Sequence, residues 1–269
     1  MTRPAMQPLR TWPAGERARI AGVLTDIDDT LTTEGAVTPD ALDALAALAR
    51  AGLHVIPITG RPAGWSEPFA VQWPVDAIVA ENGAVALARG TPPGALRKWY
   101  QQPADERATN FARMQQVAQR ILREVPGATL ARDSAGRETD IAIDHGEFTQ
   151  LPPDAIEQVV ALMRAEGMNA TVSSIHVNGW YGRHDKLEGA RWIVRELLGR
   201  SLDDELDRWV YVGDSTNDVL MFRHFPHSVG VANIRRFEAQ LAHKPTYVTQ
   251  AERGAGFAEV ARALLDARR

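Results

Sequence analysis

A short apolar run, Ala21-Gly-Val-Leu-Thr-Asp-Ile27, leads directly into a cluster of carboxylates, Asp26, Asp28 and Asp29. That run constrains the fold more than anything else in the chain. A continuous hydrophobic strand without polar alternation is the pattern of a parallel strand buried on both faces. Thr38-Pro39 comes next as a helix start, an apolar-periodic stretch runs to Arg50, and Gly52 suits the stop. Leu53-His-Val-Ile-Pro-Ile58 reads as a second buried strand and Val75 to Ala80 as a third. Strand, helix and strand in alternation predict an α/β fold built on a Rossmann-like parallel sheet.

The middle of the chain changes character. Residues 105–124 have Phe111, Met114, Val117, Ile121 and Leu122 at helical spacing, and Glu138 to Asp144 alternates as a half-buried strand does. Pro152-Pro153 opens another helix, and Asn169 to Val177 reads as one further alternating strand. Strands with one polar face predict an antiparallel sheet. The first style then returns: a helix over Lys186–Leu198, a strand over Trp209–Val212, a helix over Thr216–Phe222, a strand over Ser228–Val231 and a helix over Phe257–Leu265. The expected organisation is a core from 19–87 and 184–269, an inserted α+β cap over 88–183, and an N-terminal arm over 1–18.

The carboxylates lie where such a sheet places chemistry, beyond the carboxyl ends of its strands. One strand ends in Asp26-Ile-Asp28-Asp29-Thr30, one in Thr59-Gly60-Arg61, and one in Gly213-Asp214-Ser-Thr-Asn217-Asp218. Any of these alone is usually a cap or a turn, and Lys186 alone is usually a solvated charge. Together they place four carboxylates at one sheet edge, which repel one another unless a cation sits among them. Oxygen-only ligands select a hard cation, and Mg²⁺ fits best.

Composition narrows the alternatives. The chain has no cysteine, which excludes disulfides, thiolate catalysis and Cys-based zinc sites. A formal charge of −4 argues against a nucleic-acid partner. No apolar run is long enough to span a bilayer, and Arg10, Glu16, Arg17 and Arg19 interrupt any signal-peptide core. The expectation is a cytoplasmic protein with no membrane partner.

The ordered motifs resemble those of the haloacid-dehalogenase-like superfamily. Asp26-Ile-Asp28-Asp29-Thr30 is similar to its first motif, Thr59 to the second, Lys186 to the third, and Gly213-Asp214-Ser-Thr-Asn-Asp218 to the fourth. The insert between the second and third motifs, with Glu81-Asn82-Gly83-Ala84, resembles subtype IIB, which includes sugar-phosphate phosphatases. Asp29 stands where many relatives have Gly, and Leu187 directly follows the lysine, with Gly189 later. The resemblance implies a Mg²⁺-dependent phosphatase acting on a small phosphate ester. Asp26 would be the nucleophile and Asp28 the general acid and base. Asp26, the Asp28 carbonyl and Asp214 would hold the metal, with Asp218 acting through water or on Lys186. Thr59 and Gly60 would bind phosphate, Lys186 would balance charge, and Asn217 would add a hydrogen bond. Substrate recognition is expected from Arg61 and from the cap segment carrying His176, Asn178, Trp180, Tyr181 and Arg183. A phosphomutase and a non-catalytic phosphosugar-binding protein are the alternatives.

Overall fold

The computed structural model describes residues 5–269. Its centre is a six-stranded, all-parallel sheet in the order Gln7–Pro8, Tyr247–Val248, His227–Gly230, Trp209–Gly213, Gly22–Thr25, His54–Pro57. Register across the middle pairs Val210 with Val23 and Val23 with Val55. These three valines face one side, beneath helices Pro39–Arg50 and Arg253–Asp266, whereas Leu24, Ile56 and Tyr211 face the other, beneath Lys186–Leu198. Both faces are covered, which is why the strands read as unbroken apolar runs.

The sheet continues through a bridge from Ile58 to Val79 into a small antiparallel sheet of Ile78–Ala80, Val85–Arg89 and Leu96–Tyr100. Leu96 and Tyr100 pack on the core cluster, although the sequence reading assigns them to the insert; the insert's own elements begin with helix Ala104–Glu124. The arm is strapped on. Gln7–Pro8 adds an edge strand, and Trp12, 1% exposed, stacks on Tyr247 with ring centroids 5.3 Å apart.

The insert forms a four-stranded antiparallel sheet in the order Asn169–Val172, His176–Trp180, Ile141–Asp144, Thr129–Leu130. Helices Ala104–Glu124 and Pro153–Ala165 bury Met114, Val117, Ile121, Val159 and Met163 against it. The single strand expected over Asn169–Val177 is two strands. Ser173-Ser-Ile175 turns the chain, and the Ser173 hydroxyl accepts from the His176 amide at 3.0 Å. Serine offers the backbone this local bond, and alternation alone does not register it. The helix expected over Thr216–Phe222 is likewise divided into a 3₁₀ turn, Thr216–Asp218, and an α-helix, Val219–His224.

Candidate active site

The tips of three neighbouring strands converge. Beyond Gly22–Thr25 the chain closes a tight turn in which the Ile27 carbonyl accepts the amides of Leu31 and Thr32, with Asp29 in the left-handed region at φ 54°. The turn holds Asp26 inside the sheet edge, 4% exposed. Beyond Trp209–Gly213, Ser215 and Asp218 form a capping box, each side chain bonding the other's backbone amide. Asp218 thus serves as a helix cap and as a member of the site. Gly213 is required there, because a Cβ on it would overlap the Asp218 carboxylate.

Lys186 arrives from the first turn of its helix, which Asp185 caps by accepting the Glu188 amide at 2.8 Å. A second contact sets the depth of that helix. Gly83, at φ 112°, meets Gly189 so closely that a Cβ on Gly189 would stand 2.6 Å from the Gly83 Cα. Only glycine on both sides allows this approach. The Lys186 ammonium consequently donates to Asp26 Oδ1 at 2.9 Å and to Asp218 Oδ1 at 2.7 Å.

Asp218 is saturated. Its Oδ1 also accepts from the Tyr211 hydroxyl at 2.5 Å, and its Oδ2 accepts the amides of Asp214 and Ser215 at 2.9 and 3.2 Å. Asp214 is not. Asn233 donates to its Oδ2 at 3.1 Å, while its Oδ1 is buried with no hydrogen-bond partner. A buried orphan carboxylate oxygen beside a second carboxylate is costly without a cation. Oxygens of Asp26, Asp214 and Asp218 lie within 4.8 Å of one another. This donor set fits a hard divalent cation, with Asp26 and Asp214 free to ligate and Asp218 committed to Lys186 and the backbone.

The electrostatics agree with that fit. Burial pushes Asp26 up to about 7 against the pull of Lys186, with Asp218 and Asp28 adding to the rise. Burial, then Asp218 and Asp26, drive Asp214 well above the carboxylate range. Burial opposes the Lys186 charge, but Asp218 and Asp26 more than offset it and raise its pKa.

Arg61 lies across the mouth of the site. It bonds Asp28 at 2.9 Å from the core, and Asp133 at 3.2 Å and Glu147 at 2.8 Å from the insert. Glu147 also meets His176 Nε2 at 2.9 Å. Burial works against ionised Glu147, yet His176 and Arg61 hold it down at about 2. A cleft of about 590 Å³ opens here, lined by Asp28, Arg61, Glu147, Phe148, Glu34 and Arg253. Thr59 is fully buried, and its hydroxyl accepts the Arg61 amide at 3.0 Å. The Gly60 carbonyl receives Arg137 at 2.9 Å and Asn178 at 3.4 Å, both from the insert. Asn217 accepts from the Ser215 hydroxyl at 2.9 Å and lines a second cavity, of about 350 Å³, with Lys186 and Asn82.

Asp26, Asp28, Thr59, Gly60, Arg61, Lys186, Asp214, Asn217 and Asp218 therefore share one edge, with His176 facing them from the insert. Arg183 and Tyr181, two of the expected recognition residues, do not, and Trp180 does so only in part. Arg183 is exposed and makes no ion pair among the described residues. Trp180, 3% exposed, packs in the insert's core and also borders the cavity lined by Lys186 and Asn217, its indole donating to the His184 carbonyl at 2.8 Å. Tyr181 packs beside it and donates to the Glu166 carbonyl at 3.1 Å.

Residue reading missed a buried joint between the two halves. Glu81 accepts the Ala63 amide at 2.9 Å from the core, and the Thr139 amide and hydroxyl at 2.5 Å each from the insert. Arg137 binds Asp140 at 2.7 Å and reaches the phosphate-loop candidate through Gly60. Asn233 was also missed. Its bonds to Asp214 and to the Asp29 carbonyl join two loops some two hundred residues apart in sequence, a separation that no local pattern encodes.

With this geometry in place, the comparisons with known proteins are informative. Residues 23–92 match the family model described as haloacid dehalogenase-like hydrolase. No curated protein matches the sequence. The Candida albicans trehalose-6-phosphate phosphatase C-terminal domain superposes with a TM-score of 0.68, at 14% identity, over 99% of each chain. The sucrose-phosphatase from Synechocystis, solved with sucrose and phosphate, gives 0.64 at 17% identity, covering 90% of this chain and 97% of that one. A Thermoplasma acidophilum protein gives 0.67 at 16% identity, over 91% and 98%. Residues 23–92 are thus similar to a haloacid dehalogenase-like hydrolase, and the whole chain shares its fold with these solved structures.

Proposed function

We propose that this protein is a Mg²⁺-dependent phosphomonoester hydrolase that works through an aspartyl-phosphate, with a sugar phosphate or similar small metabolite as substrate. The observation that carries the reading is the Lys186 ammonium held between Asp26 and Asp218, beside the orphan oxygen of Asp214. The family match and the sucrose- and trehalose-phosphate phosphatases of like fold support it.

In this reading Asp26 uses Oδ2, since Oδ1 is engaged by Lys186, and bonds phosphorus as the bond to the leaving oxygen breaks. Asp28, two residues on at the mouth of the cleft, gives that oxygen a proton. It then takes one from the water that attacks the acyl-phosphate and frees Asp26. Lys186 holds the nucleophile in place and spreads positive charge toward the transferring group. Thr59 and the Gly60 amide orient phosphate oxygens. Asp26, Asp214 and the Asp28 carbonyl would hold Mg²⁺, which neutralises phosphoryl charge when bound. Arg61 fixes Asp28 relative to the insert.

The test is phosphate release from p-nitrophenyl phosphate and a panel of sugar phosphates with Mg²⁺, comparing wild type with Asp26→Asn. Turnover by wild type that falls at least about a thousandfold in the variant supports the reading. Undiminished turnover in Asp26→Asn removes Asp26 as nucleophile. Isomerised sugar phosphate in place of free phosphate assigns a mutase.

A further inference from the structure

The amino ends of the central strands, at the opposite edge of the sheet from Asp26, border a second cleft of about 550 Å³. Its walls include Ala21, His54 and Arg208, which start or immediately precede the strands Gly22–Thr25, His54–Pro57 and Trp209–Gly213. The same strands lead to Asp26, Thr59 and Asp214. Four residues of strand, ~13 Å, separate the two edges.

The charge of this cleft runs against that of the chain. The protein carries a formal −4. The cleft is lined by Arg19, Arg200, Arg208 and Arg268, with Asp207 as its one carboxylate. Arg200 pairs with Glu205 and lies over the Trp209 ring. Arg268 donates to the Ile20 carbonyl and makes no ion pair among the described residues. Arg19 and Arg208 make no ion pair among the described residues. Positive groups gathered around a concavity repel one another and focus a positive potential into it. Guanidinium forks match phosphate oxygens in geometry and charge.

We propose that this cleft binds a small phosphate-bearing anion, at a site separate from the catalytic edge. Four arginines line a volume within the size range of small-molecule pockets.

The experiment is calorimetric titration of inorganic pyrophosphate in Mg²⁺-free buffer into wild type, an Arg19→Ser/Arg208→Ser double variant, and Lys186→Met. The expected result is one equivalent bound by wild type and by Lys186→Met. Binding should be at least about tenfold weaker in the double variant, which loses two charge-assisted contacts. Binding lost in Lys186→Met and kept in the double variant would place the anion at the catalytic edge and overturn the proposal. No saturable binding at millimolar pyrophosphate overturns it too, including the case where only a long oligonucleotide binds. Arg19 and Arg208 also stand in the last turns of helices Ala14–Arg19 and Asp203–Arg208. A double variant that melts lower with unchanged pyrophosphate affinity would assign the arginines to those helix ends and not to a ligand.

Discussion

Metal-free protein should lose stability as pH rises through neutrality, and Asp26 supplies a part of that loss that can be isolated. Its folded pKa is about 7, against an ordinary 3.8. Between those values the folded chain holds a proton that the unfolded chain has released. For a carboxylate raised on folding, the favourable contribution is present at low pH and disappears as pH climbs through the window. A difference of about three pKa units, at 1.36 kcal/mol each, is roughly 4 kcal/mol. Asp214 is shifted the same way, chiefly by burial, and Asp140 rises to about 7 for the same reason. His184 works in the opposite sense. Burial lowers it from 6.5 to about 4, so stability falls as pH drops through that range. The wild-type slope alone is therefore a mixture, and the readout is its difference from Asp26→Asn, which has no proton to release at that position. Urea unfolding in EDTA at half-unit steps from pH 4 to 8 should show the variant gaining on wild type by roughly 4 kcal/mol across the range. Mg²⁺ at about 100 times its Kd should return about 2.7 kcal/mol to wild type at pH 8 and much less at pH 5, where protons occupy the site. Parallel pH curves for the two proteins, or equal Mg²⁺ stabilisation at both pH values, would refute the reasoning.

Other outcomes rest on single contacts. Lys186→Met leaves Asp26 and Asp218 without their shared cation, so unfolding free energy at pH 7 should fall by about 3–5 kcal/mol and phosphate release should be lost. Arg61→Gln cuts the ties from Asp28 to Asp133 and Glu147; limited proteolysis should cleave between the two halves sooner, and KM should rise more than kcat falls. Trp180→Ala opens a cavity in the insert, costing about 3–5 kcal/mol in denaturant unfolding.

The catalytic edge was legible because its determinants are local and repeated. A buried parallel strand announces itself by an unbroken apolar run, and topology puts the residues just after that run at the sheet edge. Asp26, Thr59 and Asp214 therefore needed no tertiary knowledge to be grouped. The bland and functional readings of Asp214 to Asp218 both hold, since the capping box that starts the 3₁₀ turn also aims Asp218 at Lys186. Gly189 was visible only as a departure from a common pattern; the structure shows it to be one half of the contact with Gly83 that sets Lys186 at its depth. The insert was legible in outline and not in role. In an alternating strand, which face meets solvent, helix or ligand is decided by what packs on each side. Asn178 reaches Gly60 of the core half and His176 reaches Glu147, which itself binds Arg61, while Trp180, at the same parity, packs against the insert's hydrophobic cluster and borders the cavity lined by Lys186 and Asn217. The acids that do reach Arg61, Asp133 and Glu147, stand in loops with no periodic signal. Their meeting with Asp28 arises only when the two halves close on one another. Arg61, which reaches residues of both halves, is the side chain that ties the insert to Asp28.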